Sequence, residues 1–329
     1  MIRFSEYSET TDELAKCLKE KAAGRRMIAV IDHNVDAHWG QFFPFEKIVI
    51  EASERNKTME TVNALIEQLM ELHADRGVLL LGIGGGITTD ICGFVAAIYK
   101  RGVAVGLVPT TLLAMVDAAI GGKNGVNMQG YKNMVGTFRQ PEFICCHPKF
   151  LATLPQKEVR NGLAEMLKSF IIKGKHFVAC AEFFRAKTGV ELCTEAETTM
   201  RFIQEAANVK MEIVAEDECE QGKRRLLNLG HTFAHALEHC TGISHGEAVS
   251  IGLVCAAKNG KSPDTELIVN TLKSCGLPTE IPQITTPSVL LKAMSQDKKM
   301  VEGKCLLVII RRIGDISVRP TALKDIVIG

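Results

Sequence analysis

The side chains best equipped for chemistry are a glutamate and three histidines. His231 and His235 are four apart, so on a helix both imidazoles share one side. His245 follows one short loop later, in Ser244-His245-Gly246-Glu247. Upstream, Glu165 and Lys168 are three apart in Gly162-Leu163-Ala164-Glu165-Met166-Leu167-Lys168. One carboxylate with two imidazoles is a donor set for a divalent metal, with a coordination position left open for substrate as catalytic zinc requires. The plainer alternatives are histidines exposed beside a loop and a surface ion pair of about 0.3 kcal/mol. Spacing does not choose between them, because a fold must bring residue 165 to 231 and 245. The zincin pattern is excluded, since Thr232 follows the first histidine. Arg224, Asn228, His231 and His235 are spaced four, three and four, which predicts one helical face carrying all of them.

A second group of residues suits anions. Gly84-Gly85-Gly86 stands between an apolar run and Thr88, Thr89 and Asp90. Glycines let the backbone approach a pyrophosphate, and the N–H groups of a helix N-terminus face it. The stretch is neither G-x-G-x-x-G nor a Walker A loop, so a plain tight turn stays open. Thr110-Thr111 adds hydroxyls after the next apolar run, at the sheet edge where ligands of open α/β folds sit. Lys123 lies in Gly121-Gly122-Lys123-Asn124-Gly125-Val126-Asn127, read as a loop, with Asp117 before it and Lys132-Asn133 after. Lys210 and Glu220 precede the segment with Arg224. Lys298-Lys299 reads as a surface charge run.

These residues need elements to position them. Apolar runs at Met27–Ile31, Lys47–Ile50, Val78–Ile83 and Val103–Val108 alternate with helical segments at 13–21, 57–72 and 86–97. Runs of that kind are strands buried on both faces, so the fold class is α/β with a parallel sheet. After about Phe150 the helical segments 159–173, 195–214, 226–240 and 245–258 dominate. A domain change is placed near 149, giving domains 1–149 and 150–329. The apolar run Cys305–Ile310 is a strand or a return to the sheet. A length of 329 residues agrees with two domains. Lys plus Arg is 39 and Asp plus Glu 38, a net charge of +1, which gives no electrostatic case for nucleic acid or an acidic membrane. No apolar run reaches the ~20 residues of a membrane span. Eleven cysteines, with no apolar h-region in the first ten residues, fit a reducing, cytoplasmic setting with thiols as small core residues.

Taken in order, the motifs resemble the 3-dehydroquinate synthase family. The glycine loop with Asp90 is followed by Phe94-Val95-Ala96-Ala97, Arg101-Gly102, Pro109-Thr110-Thr111-Leu112-Leu113, Val116-Asp117 and Gly121-Gly122-Lys123. Lys132-Asn133-Met134-Val135-Gly136, Gln140-Pro141, Thr153-Leu154-Pro155 and Gly162-Leu163-Ala164-Glu165 come next. Asp217-Glu218, Leu227-Asn228-Leu229-Gly230-His231-Thr232 and His245-Gly246-Glu247-Ala248-Val249 close the series, which is dense from Leu80 to Ala256.

The resemblance implies a Rossmann-like dinucleotide-binding domain followed by a mainly helical metal- and substrate-binding domain, usually as a homodimer. It implies an NAD- and metal-dependent lyase that converts a sugar phosphate, 3-deoxy-D-arabino-heptulosonate 7-phosphate, to 3-dehydroquinate and phosphate in the shikimate pathway. Glu165, His231 and His245 match the ligands of Zn2+ or Co2+. Gly84, Gly85, Gly86, Asp90, Thr110 and Thr111 match the NAD contacts, with Glu54 and Lys57 at the adenosine ribose and Lys123, Lys132 and Thr153 as further cofactor candidates. Lys123, Asn133 and His235 match the phosphate side of the substrate; Lys210, Arg224 and Asn228 match the carboxylate side. Lys168, Asp117 and Glu220 complete the catalytic candidates, and Arg101 matches a residue that reaches the partner subunit's site. Asn124 departs from the family's usual Thr, Thr88-Thr89 from a smaller pair, and Lys173-Gly174-Lys175 lacks an Asp. The competing readings are another sugar phosphate cyclase, making an inosose or a valiolone, a metal-dependent polyol or alcohol dehydrogenase, and a non-catalytic nucleotide-binding relative.

Overall fold

The computed structural model describes residues 2–4, 11–295, 300–301 and 304–328; Lys298 and Lys299 lie outside them. In chain order the first elements are β1 (Ile2–Phe4), α1 (Thr11–Ala22), β2 (Met27–Asp32), α2 (His33–Trp39), β3 (Glu46–Ile50), α3 (Met59–Glu71), β4 (Leu79–Gly84) and α4 (Gly86–Ile98). Then come β5 (Ala104–Pro109), β6 (Lys123–Met128), β7 (Tyr131–Phe138), β8 (Phe143–Cys146), α5 (Gln156–Lys173), α6 (Phe177–Phe184), α7 (Gly189–Thr194) and α8 (Ala196–Glu216). The last are α9 (His231–Thr241), α10 (His245–Gly260), α11 (Thr265–Ser274), α12 (Pro287–Ser295), β9 (Met300–Val301), β10 (Lys304–Arg312) and β11 (Asp315–Ala322). The chain divides into two compact units, Met1–Pro155 with Gly189–Gln204, and Gln156–Thr188 with Glu205–Gly329.

The first unit is built on a six-stranded sheet of order β1-β8-β5-β4-β2-β3 in which every described pairing is parallel. Strand β4 is buried along its whole length, as its unbroken apolar run predicts. The chain passes from β2 to β3 on one side of β2 and returns as β4 on the other, so the strand order reverses at β2 and β4. Open α/β sheets bind ligands at such a reversal, beyond the carboxyl ends of the strands. Gly84 is in register with Pro109, so the Gly84–Gly86 turn and Thr110-Thr111 leave the sheet side by side. Helix α3 buries Val62, Leu65 and Leu69, the stripe its spacing predicts.

One expectation fails here. The Gly121–Asn127 stretch is not a loop from Lys123 onward; it is strand β6, paired antiparallel with β7. Gly125 faces Gly136 across this pair, close enough that a Cβ on Gly125 would stand 2.6 Å from the Val135 carbonyl. Glycine lowers intrinsic strand propensity, which hides such a ribbon from sequence. Asn124, the departure from Thr, donates its amide to the Gly122 carbonyl at 2.8 Å and the Arg139 carbonyl at 3.0 Å, tying the two ends of the ribbon.

The second unit packs α10 against α5, α9 and β10. Cys305–Ile310 forms part of β10, which pairs antiparallel with β9 and β11 in a separate three-stranded sheet and does not rejoin the parallel one. The continuous helix expected from 226 to 240 is also corrected. Lys223–Asn228 is a 3-10 turn, Gly230 takes φ +77°, and α9 begins only at His231. Arg224 and Asn228 therefore do not share a helical face with His231 and His235.

Candidate active site

Three elements of the second unit supply the metal donor set. Glu165 sits on α5 in a stretch, Asn161 to Ile171, that is buried throughout, and is itself 0 % exposed. His231 and His245 are the first residues of α9 and α10. Gly230 makes the first placement: its positive φ suits glycine, and a Cβ there would stand 3.1 Å from the Leu253 amide nitrogen. A capping box makes the second. The Glu247 carboxylate accepts from the Ser244 amide at 2.8 Å and its hydroxyl at 2.6 Å, while Gly246 N–H donates to Asn161 Oδ1 at 3.1 Å and ties the start of α10 to α5.

Glu165 Oε1 lies 3.0 Å from His245 Nε2 and 3.3 Å from His231 Nε2. Bonds of the usual zinc–ligand length in tetrahedral arrangement put donor atoms about 3.3 Å apart. The three donors all lie within 4.8 Å of one another. Glu165 Oε2 is buried without an aligned hydrogen bond, although Lys168 Nζ stands 2.5 Å away and also donates to the Leu227 carbonyl at 3.0 Å. A hard oxygen, two imidazole nitrogens and a solvent-facing side at His245, 29 % exposed, fit a divalent metal with an open position.

The electrostatics keep the carboxylate ionised. Burial works to raise the Glu165 carboxyl, but the Lys168 ammonium, followed by the His231 and His245 rings, holds it well below the usual carboxylate range. Burial pushes His231 down to about 4 against the pull of Glu165. Burial pushes His245 the same way, but its hydrogen bonds to Glu165 and Glu238 carry it up to about 10.

Around this triad, the His235 ring stands perpendicular to His231 with centroids 5.7 Å apart. Asn228 donates its amide to the Glu220 carboxylate, and Arg224, 2 % exposed, donates to the Glu218 carbonyl. Asp217 accepts from the amides of Gln221, Gly222 and Arg224 and so shapes this loop. Lys210 is buried on α8.

In the first unit, Lys57 Nζ donates to Asp90 Oδ2 at 2.5 Å and Asn133 Oδ1 at 2.7 Å. Asn133 N–H donates to Asn127 Oδ1 at 2.9 Å, and Asn127 Nδ2 to Glu54 Oε2 at 2.9 Å. Glu54, Lys57, Asp90 and Asn133 thus meet in one polar cluster beside the first turn of α4. The glycine turn has no room for side chains: a Cβ on Gly84 would meet Thr88 at 2.5 Å, on Gly85 Thr111 at 3.0 Å, and on Gly86 Ala118 at 2.9 Å. Gly85 caps α4 with no side chain of its own, leaving the helix N-terminus open to an anion. This cradle fits a pyrophosphate-bearing cofactor. Thr110 N–H donates to the Gly84 carbonyl, and Asp117 sits in the π-helical turn Ala114–Ala118. Lys123 and Lys132 are exposed on β6 and β7, and Arg101 is exposed at φ +66°. Thr153 accepts from the Trp39 indole at 3.0 Å.

Sequence reasoning missed Glu238 and Asn127. Glu238 stands seven residues after His231, two helical turns along the same face of α9.

Residues 47–161 match the family model described as 3-dehydroquinate synthase N-terminal, and residues 162–300 the one described as 3-dehydroquinate synthase C-terminal. The chain belongs to the 3-dehydroquinate synthase family. The 3-dehydroquinate synthase of Pyrococcus abyssi is 43% identical over 293 residues, 88% of this chain and 84% of its own. That of Pyrococcus furiosus is 44% identical over 85% and 82%. Among solved structures, a 2-epi-5-epi-valiolone synthase from Streptomyces hygroscopicus subsp. jinggangensis 5008, with NAD+ and Zn2+ bound, superposes with a TM-score of 0.86 at 26% identity, over 99% of this chain and 94% of that one. A 2-deoxy-scyllo-inosose synthase complexed with carbaglucose-6-phosphate, NAD+ and Co2+ gives 0.84 at 25%, with the same coverage. The dehydroquinate synthases are thus nearer in sequence than these two cyclases.

Proposed function

We propose that the chain converts 3-deoxy-D-arabino-heptulosonate 7-phosphate to 3-dehydroquinate and phosphate, a phosphate-eliminating lyase reaction of the shikimate pathway. The observation that carries this is the Glu165–His231–His245 donor set, assembled in a chain 43% identical to a dehydroquinate synthase over 88% of its length. Glu165, His231 and His245 would hold Zn2+ or Co2+, which would supply Lewis-acid chemistry at a substrate hydroxyl. The Gly84–Gly86 turn and the N-terminus of α4 would hold NAD, which would supply reversible hydride-accepting chemistry.

The chain's own residues hold and orient. Thr110, Thr111, Asp90, Glu54 and Lys57 position the cofactor, with Lys132 and Thr153 as further contacts. Lys123, Asn133 and His235 take the substrate phosphate, whose own oxygen removes the proton made acidic by the neighbouring ketone, and the phosphate then leaves. Lys210, Arg224 and Asn228 take the carboxylate, and Glu220 orients Asn228 through its hydrogen bond. Lys168 keeps Glu165 ionised, Asp117 shapes the turn before Lys123, and Arg101 serves the partner's site in a cytoplasmic homodimer. No described helix is long and apolar enough to cross a membrane.

The test offers three phosphorylated sugars to the metal-loaded protein with NAD: the heptulosonate 7-phosphate, sedoheptulose 7-phosphate and glucose 6-phosphate. Phosphate release from the first alone is expected. Release from either of the others alone would make the chain a different sugar phosphate cyclase.

A further inference from the structure

A histidine that ligates a metal needs its ring held by its second nitrogen, because that hydrogen bond sets both the tautomer and the direction of the donor. The two candidate ligand histidines are held differently. His231 Nδ1 lies 3.1 Å from the Leu229 carbonyl, a backbone group fixed by the turn at Gly230. His245 Nδ1 lies 3.1 Å from Glu238 Oε1. Glu238 is on α9, and its side chain is only 7 % exposed. Both Nε2 atoms face Glu165 Oε1, and with Nδ1–H donated in both rings a bound metal would take the Nε2 lone pairs. His245 needs the stronger restraint, since its side chain is 29 % exposed against 13 % for His231. Glu238 meets the far nitrogen of the ring and stands outside the three-donor set.

We propose that Glu238 is a positioning residue of the metal centre. Its carboxylate accepts the Nδ1–H of His245, fixes the tautomer that presents Nε2, and links the first turn of α10 to α9. The inference rests on the reading of Glu165, His231 and His245 as ligands.

The test uses zinc-stripped full-length protein as wild type, Glu238→Gln and Glu238→Ala. Zinc affinity is measured by competition with a chromophoric chelator, and the visible spectrum of the cobalt-substituted protein reports ligand geometry. Glu238→Ala is expected to weaken zinc binding by about 10–100-fold and to shift the cobalt bands. Glu238→Gln keeps an acceptor oxygen and is expected to lose less, with an unchanged thermal midpoint in its metal-free form. Should Glu238→Ala fail to fold, Glu238→Leu, which keeps the bulk and removes the acceptor, decides the matter: affinity and cobalt spectrum both at wild-type values would overturn the inference. The same wild-type values in both variants, with zinc lost in Glu165→Ala, would remove Glu238's role and leave the ligands standing. A wild-type protein that takes up no zinc would overturn both.

Discussion

Glu165 is an anion removed completely from water, and its neighbours explain how it remains one. Lys168 stands 2.5 Å from one oxygen and two histidine nitrogens face the other. Removing one partner of a buried ion pair strands the other, at a cost of about 3–5 kcal/mol. Lys168→Met is therefore expected to lower the unfolding free energy of the metal-free protein by that order. Added zinc should narrow the gap, because a cation at Oε1 replaces part of the lost charge; urea denaturation with and without metal measures both. Glu165→Ala, His231→Ala and His245→Ala are each expected to lose stoichiometric metal while keeping wild-type far-UV circular dichroism. Metal retained at full stoichiometry in all three would place the centre elsewhere. The residue types of this donor set are visible in the sequence, but their approach to within 4.8 Å of one another is not, because it depends on how α5, α9 and α10 pack. Nor is the Glu238 contact, because it depends on how α9 and α10 are angled about their short connection.

At the scale of elements, periodicity was informative wherever one helix or strand ran its full length. Strand β4, helix α3 and helix α5 follow directly from their apolar patterns. Spacing misleads where the backbone leaves regular helix or strand geometry. Arg224, Asn228, His231 and His235 keep helical spacing across a break that only Gly230 betrays, and β6 hides behind its glycines. Gly230→Ala puts a Cβ into the left-handed region and against the Leu253 amide, so a loss of at least ~1–2 kcal/mol is expected. Because His231 follows directly, zinc affinity should fall with stability. Ser244→Ala removes the cap of α10 and is expected to cost about 1 kcal/mol, read as a shift in denaturation midpoint at unchanged slope.

Over the whole molecule, the α/β class and the two-part organisation are legible because alternating and then mainly helical patterns reflect two different ways of burying a core. The return of Gly189–Gln204 to the first unit has no such signature, since α7 and α8 read as ordinary helices whichever unit they join. The eleven cysteines behave mostly as core residues: Cys92, Cys145, Cys146, Cys180, Cys255, Cys275 and Cys305 are buried. Burial pushes the Cys92 and Cys146 thiols up to about 12, so neither is a thiolate near neutral pH. Brief alkylation of the native protein at pH 7.5 should label Cys219, which is exposed, and spare Cys92 and Cys146; mass spectrometry of the digest reads this directly. In the proposed internal redox cycle the cofactor is restored at each turnover. Phosphate release and NADH absorbance should therefore be followed together in metal-loaded protein supplied with NAD and 3-deoxy-D-arabino-heptulosonate 7-phosphate. The expected result is many equivalents of phosphate per chain with no accumulation of NADH. NADH formed in step with substrate consumed, without phosphate release, would rule out the internal cycle and make the chain a dehydrogenase.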